Sequence, residues 1–295
     1  MKRSYDYIKE NSEFSYKISN FDTVTTSDYF EAVDKSLEDI FQEMDHLNLH
    51  KIAICLSGID SEIIAQRLLK YKKHVEYFFL HVQDINDEHK VLMEKIAENH
   101  KVKINIITTT LDFIKNSFSQ EVFEFCQMTM ATYISIPYLI KNIPNDFYII
   151  IGEGDLEKSN IDKYRTIFNN RISDPKKDEI YVPLHLSEII YSLSLKKYNK
   201  HGESNFYSRK FDTWYHILKD NRLITNYRFF YDPKSDLIHE LCGKNFVSPL
   251  KTLNYIPIKH RDIIRGFHHT LSMQASRNWN FSIGDIVTIP KDLVF

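Results

Sequence analysis

Glycine and proline are both scarce in this chain, at 7 and 8 of 295 residues. A chain so poor in turn and linker residues has no flexible low-complexity tether and no collagen-like segment. Scarcity also makes each glycine informative, because it stands where the backbone needs its freedom. Cysteine is scarcer still. Cys55, Cys126 and Cys242 form no CxxC pair, which argues against a disulfide framework or a cysteine-based zinc module and fits a reducing cytosol. No apolar run is long enough to span a bilayer, and the opening MKRSYDYIKENSEF has no signal-peptide core. A soluble, cytoplasmic protein without a membrane partner is the expectation. Excess charge of one sign is also missing. With 38 Lys and Arg against 40 Asp and Glu, no broad field gathers nucleic acid, so a nucleic-acid partner is not expected. Local clusters such as Lys196, Lys197 and Lys200 read as a solvated helix face.

What the chain does have is apolar and aromatic material, at 43% hydrophobic residues with 18 Tyr and 20 Phe. That is enough to build a sizeable core. Ser27 and Asp28 are placed to cap a helix whose Phe30, Val33, Leu37, Ile40, Phe41 and Met44 recur at helical spacing. KIAICL (51–56), VEYFFLHV (75–82), VKINIITTT (102–110) and FYIIIG (147–152) read as strands. Between them lie helical patterns. One puts Ile64, Leu68 and Tyr71 inward with Arg67 and Lys70 outward. Another, near 87–100, puts Val91, Leu92, Ile96 and Ala97 inward, and a long one (119–141) is kinked before Pro137. Continuous apolar strands alternating with helices predict a doubly wound, Rossmann-like parallel sheet covered on both faces. After about residue 180 the pattern turns mostly helical, near 186–198, 205–219, 234–242 and 258–274. The expected organisation is a strand-like extension (1–27), an α/β nucleotide-binding domain (28–180) and a helical, aromatic-rich substrate or partner domain (181–295).

The most specific stretch is SGIDS (57–61), between the first of these strands and its helix. In open α/β sheets ligands bind beyond the carboxyl ends of the strands. Backbone N–H groups of a tight Ser-Gly turn, leading into a helix N-terminus, make a concavity suited to anions. Gly58 lets backbone approach a phosphate, and the Ser57 and Ser61 hydroxyls add donors. Asp60 repels phosphate and so must cap the helix or hold a cation such as Mg²⁺. A second turn, GEGDLEKSN (152–160), gathers Glu153, Asp155 and Glu157 on the same rim, where a cation or Lys158 must offset their repulsion. Taken singly, each turn also reads as an ordinary capped or hydrophilic connection.

LSGIDSEIIA resembles the SGGxDS signature of the PP-loop ATP pyrophosphatases, the adenine-nucleotide α-hydrolase group that includes asparagine, GMP and NAD synthetases. The likeness spans roughly residues 28 to 160. It implies ATP and Mg²⁺ as cofactors, cleavage between the α and β phosphates, and adenylation of an acceptor for amide or amidine-type ligation. By that resemblance Ser57, Gly58, Ile59, Ser61 and Gly152 hold the pyrophosphate, and Leu80 and His81 lie where such folds receive the adenine. Asp60, Asp155 and Glu157 become metal ligands, and Asp60 and Lys158 the catalytic pair. The family has two glycines where this chain has one, and its loop is a residue longer. A degenerate member that binds a nucleotide or a protein without hydrolysis is therefore the second reading.

Other candidates are weaker. Arg165 and Arg171 follow in a polar stretch that suits a phosphate-meeting lid or plain surface. His46 and His50 share the spacing of one helix face without further zinc ligands. His268 and His269 read as helix surface, and Cys242 as a small buried apolar residue. The acceptor and the oligomeric state are left open.

Overall fold

In the computed structural model the described residues are 8–10, 13–19, 24–56, 59–71, 73–84, 86–126, 135–152, 166, 179–183, 186–204 and 211–219. Expectations for Asp155, Glu157, Lys158, Arg165, Arg171, Cys242, His268, His269 and the helices at 234–242 and 258–274 fall outside them, as do Ser57 and Gly58.

The first strands, β1 (Ile8–Glu10) and β2 (Glu13–Ser19), pair antiparallel. β2 also pairs antiparallel with a later strand, β7 (Glu179–Pro183), making a three-stranded sheet. Helix α1 (Tyr29–His46) follows and starts where its cap dictates. Asp28 Oδ1 accepts from the Glu31 amide at 2.9 Å, and Glu31 Oε2 accepts from the Ser27 amide and hydroxyl, each at 2.7 Å. These bonds satisfy N–H groups that a helix start leaves orphaned. Phe30, Val33, Leu37, Ile40, Phe41 and Met44 are all buried along one stripe, as their spacing predicts. The helix stops at His46. Leu47 is its C-cap and Asn48 turns left-handed at φ 56°, so His50 lies beyond the helix and shares no face with His46.

Four strands expected from apolar runs are found as β3 (Lys51–Cys55), β4 (His74–Val82), β5 (Ile104–Thr109) and β6 (Phe147–Ile151). With β8 (His201–Ser204) they form a five-stranded, all-parallel sheet in the order β5-β4-β3-β6-β8. Central β3 aligns Cys55 with Phe78 on one side and with Ile151 on the other. Helices α2 (Ile59–Leu68) and α3 (Asp87–His100) link the strands on one side of β3. A helical turn α4 (Leu111–Phe113), a π-helical segment (Ile114–Phe118), α5 (Ser119–Cys126) and α6 (Ser135–Asn142) lead to β6. α7 (Leu186–Lys197) precedes β8, and α8 (Phe211–Lys219) follows it. The sheet thus continues past the boundary expected at 180. Of the helix expected over 119–141, the described parts, α5 and α6, are helical, and helical structure already begins at Leu111. Pro137 sits in the first turn of α6, where its missing N–H costs little.

Alternation along each strand sorts the core into two layers. Ile52, Ile54, Tyr77, Phe79, Tyr148 and Ile150 pack with α1, α2, α3 and α8. Ala53, Cys55, Phe78, Leu80, Phe147, Ile149 and Ile151 pack with α5, α6 and α7. The fold is therefore a doubly wound α/β sheet, and its central strands are continuously apolar because water meets neither face. Each fully buried Ile, Leu or Phe adds about 1.5–3 kcal/mol of hydrophobic stabilisation.

Two helix faces differ from their simple pattern. Arg67 is not turned to solvent. Its guanidinium pairs with the Asp34 carboxylate of α1 and lies 5.2 Å from the Phe30 ring centroid, joining α2 to α1. Val91 is exposed at 49%, and its expected inward place is taken by Met93. Lys200 likewise leaves the solvated set, since its ammonium donates to the Ile143 carbonyl just past the end of α6.

Strand β8 depends on a glycine. The Tyr191 hydroxyl donates to the Ile149 carbonyl at 2.7 Å, and Ile149 is paired with Gly202. A Cβ at 202 would collide with that carbonyl and come within 2.5 Å of the Tyr191 hydroxyl oxygen. Gly202→Ala is expected to lower unfolding stability by roughly 3 kcal/mol, the upper range for overpacking. Urea denaturation checks this, and a loss below roughly 0.5 kcal/mol would show that β8 does not pack here.

Candidate functional site

The winding reverses at β3. From it the chain goes outward to β4 and β5, then returns to the other side of β3 for β6 and β8. The switch point lies between the carboxyl ends of β3 and β6, where outgoing loops diverge and leave a crevice. Cys55 and Ile151 are in register, so the loops that begin at Leu56 and Gly152 leave side by side. Both sequence-predicted loops therefore start at this crevice.

The described part of the first loop is the start of α2. Ile59 and Asp60 open its first turn in the backbone, and a helix start carries a partial positive charge. Ser61 is almost fully buried, with 1% exposed, so its hydroxyl faces the interior. Glu62 beside it is fully buried. Burial first, and this carboxylate second, push the Tyr77 phenol well above its ordinary pKa. Gly152 is half-buried at the end of β6.

Beyond β4 the structure is defined in more detail. Leu80 and His81 are both buried. His81 Nε2 lies 2.5 Å from Asp87 Oδ1, and Nδ1 lies 3.4 Å from the Thr108 hydroxyl. Asp87 opens α3, where a carboxylate complements the helix N-terminus. The pair pins α3 to the strand end and engages both ring nitrogens, so His81 is a positioning group here. Next to it the Asn86 side chain is turned back on β4. Its Nδ2 donates to the Leu80 carbonyl at 2.9 Å, and its Oδ1 accepts from the Val82 amide at 2.8 Å. Asn86 is the residue that sequence reasoning missed. The only signal was an Asn directly before a helix, which ordinarily means a cap.

The residues expected to hold Mg²⁺ are all carboxylates, and hard oxygen donors suit that ion. Asp60 and Gly152 are brought to the same rim, while Asp155 and Glu157 lie outside the described residues. Among the described residues no three His, Cys, Asp or Glu groups are gathered for a metal. No helix among them is long and apolar enough to cross a membrane.

A cavity of about 350 Å³ opens at the opposite, amino edge, lined by Lys73, His74, His100, Lys101 and Lys103 among others. Its cations are already answered. Lys103 Nζ is 2.9 Å from Glu76, Lys73 is 3.7 Å from Asp45, and α2 and α3 both end here with their partly negative termini. An anion gains little in this place, so the carboxyl edge remains the candidate site.

No protein-family model matches this chain, and no curated protein matches it significantly.

Glu76, on the amino half of β4, supplies a test of the sheet's electrostatics. Burial works to raise its carboxyl, but hydrogen bonds from His74, Lys103 and Asn105 outweigh burial and hold it at about 2 against an ordinary 4.5. A depressed carboxyl stabilises the fold above its unfolded pKa and loses that contribution as pH falls through the folded one. Lys103 and His74 are solvent-facing, which screens the effect to about 1–2 kcal/mol. Glu76→Gln should therefore flatten the fall in stability between pH 4.5 and 2, read by urea melts at several pH values. An unchanged acid limb would rule out this bonding.

Proposed function

We propose that the chain is a PP-loop-like ATP-binding protein of the cytosol that converts ATP to AMP and pyrophosphate, adenylating an acceptor for amide or amidine-type ligation. One observation supports this reading above the others. The stretches that carry the motif residues begin side by side at the topological switch point of a doubly wound parallel sheet, at Leu56 after β3 and at Gly152 after β6. An isolated Ser-Gly-Asp turn elsewhere in a fold would have no such crevice beside it.

In this reading the α2 N-terminus and the backbone of Ser57, Gly58 and Ile59 bind the phosphates through oriented N–H groups, preorganised before substrate arrives. Gly58 leaves room for the phosphate to reach the backbone. Asp60, Asp155 and Glu157 hold Mg²⁺, which when bound neutralises phosphate charge. Lys158 offsets the charge that develops on the α-phosphate. Leu80 and the ordered corner at His81 and Asp87 form the wall against which the base lies. The buried position of Ser61 favours a second reading, nucleotide binding without hydrolysis, because one expected donor is turned inward.

ATP labelled at the α-phosphate, incubated with Mg²⁺ and the protein, should yield labelled AMP; labelled ADP, or no product with any acceptor class, would sink the hydrolytic reading. Asp60→Asn should lower AMP formation by about 100-fold, as displaced catalytic groups do. Its stability should stay within roughly 1 kcal/mol, because a carboxylate in the first turn of α2 contributes only a helix-terminus interaction of that order. Should wild type bind Mg-ATP without making AMP, a glycine inserted between Gly58 and Ile59 tests the shortened loop directly. A gain of AMP would show that loop length alone silences the site.

A further inference from the structure

We propose that the Asn86 carboxamide is an internal competitor for the base of the bound nucleotide, and that it turns away to cap α3 when the base arrives. This inference rests on the nucleotide reading of the same crevice. The strand end offers one acceptor and one donor two residues apart, the Leu80 carbonyl and the Val82 amide. The Asn86 side chain engages both, at 2.9 and 2.8 Å. Its NH₂ donor beside a carbonyl acceptor repeats the pattern of the adenine edge, a 6-amino donor beside the N1 acceptor. Adenine cannot take both backbone groups while the carboxamide holds them.

Asn86 also has somewhere else to go. It is the N-cap residue of α3, and Asn is among the best capping side chains, yet it makes no side-chain cap bond. Its backbone stands at φ −129° and ψ 34°, outside the extended region that capping uses, so a swing of ψ together with side-chain rotation would exchange the strand-end bonds for a bond to the N–H groups of the first turn. The corner does not depend on Asn86 staying in place. His81 and Asp87 tie α3 to β4 independently, and Leu92, Met93, Ile96 and Ala97 bury its apolar face. The Gln83 amide is held separately by the Thr109 carbonyl at 3.0 Å. The side chain therefore has two bonded states, one closed to the base and one open, and a base that binds only the open state is weakened by the fraction that is closed.

Asn86→Ser separates these states. Serine caps a helix well but is too short to bridge Leu80 and Val82. Calorimetry should show AMP bound about ten-fold tighter by Asn86→Ser than by wild type, the gain from removing a competitor that holds the site nine-tenths of the time. Pyrophosphate, which carries no base, should bind both proteins equally. Asn86→Thr, which also caps a helix and is also too short to bridge Leu80 and Val82, should behave like Asn86→Ser and guards against a folding defect in either variant. Tighter AMP binding by both variants would also support the proposal if wild type binds too weakly to measure. AMP binding that is unchanged or weakened in both variants, with wild type binding normally, overturns the competitor while leaving the nucleotide site intact. Failure of wild type and both variants to bind AMP or pyrophosphate at millimolar concentration overturns the site and the competitor together.

Discussion

Strand β3 is hydrogen-bonded along both edges, to β4 and to β6, while Ile52 to Cys55 are shut off from water on both faces. A strand enclosed this way fixes what surrounds it. Each face needs a helical layer, and parallel neighbours need crossovers long enough to supply those helices. Leaving toward β4 on one layer and returning to β6 by the other is how both faces become covered. The crevice at the carboxyl ends follows from that reversal. It exists before any residue at its rim is considered, and the rim residues only decide what it holds.

The two ends of the sheet are chemically unlike. At the amino edge, lysines meet carboxylates and helix C-termini, and each charge finds its complement among groups of the fold itself. The Tyr77 hydroxyl, 2.8 Å from His100 Nδ1, extends this polar set into the core, and burial holds His100 below its usual pKa. At the carboxyl edge, the start of α2 directs N–H groups toward the crevice, while Asp87 already complements the start of α3. Helix-terminus physics thus helps to close the amino end of the sheet.

The corner after β4 shows how a small sequence choice controls such a rim. Asp84 is left-handed at φ 61°, a conformation that a short polar side chain tolerates. The turn brings Asn86 back against its own strand end, so one residue links the strand to the helix and satisfies two backbone groups. His81 and Asp87 then make the link independent of it. A strand end that is satisfied internally does not leave its backbone groups unpaired.

The sequence by itself determined the layers and most of the sheet. The six apolar positions of α1, its Asp28 cap and the four continuous apolar strands follow from local periodicity and capping, which act within a few residues and need no partner to be read. It did not reveal β8. HGES has no apolar run, and it is a strand because Gly202 clears space for Tyr191 against Ile149, a fit made by residues far apart in the chain. Arg67 looked exposed until α1 placed Asp34 and Phe30 beside it, and Val91 looked buried until the rotation of α3 favoured Met93. The SGIDS loop was legible as a strand-to-helix turn suited to anions. Its position at a switch point was not, because strand order is a property of the assembled sheet. Asn86 likewise read as a helix cap, since capping is decided locally. Only the tertiary structure brought the end of β4 within reach of its carboxamide and so offered it two bonds instead of one.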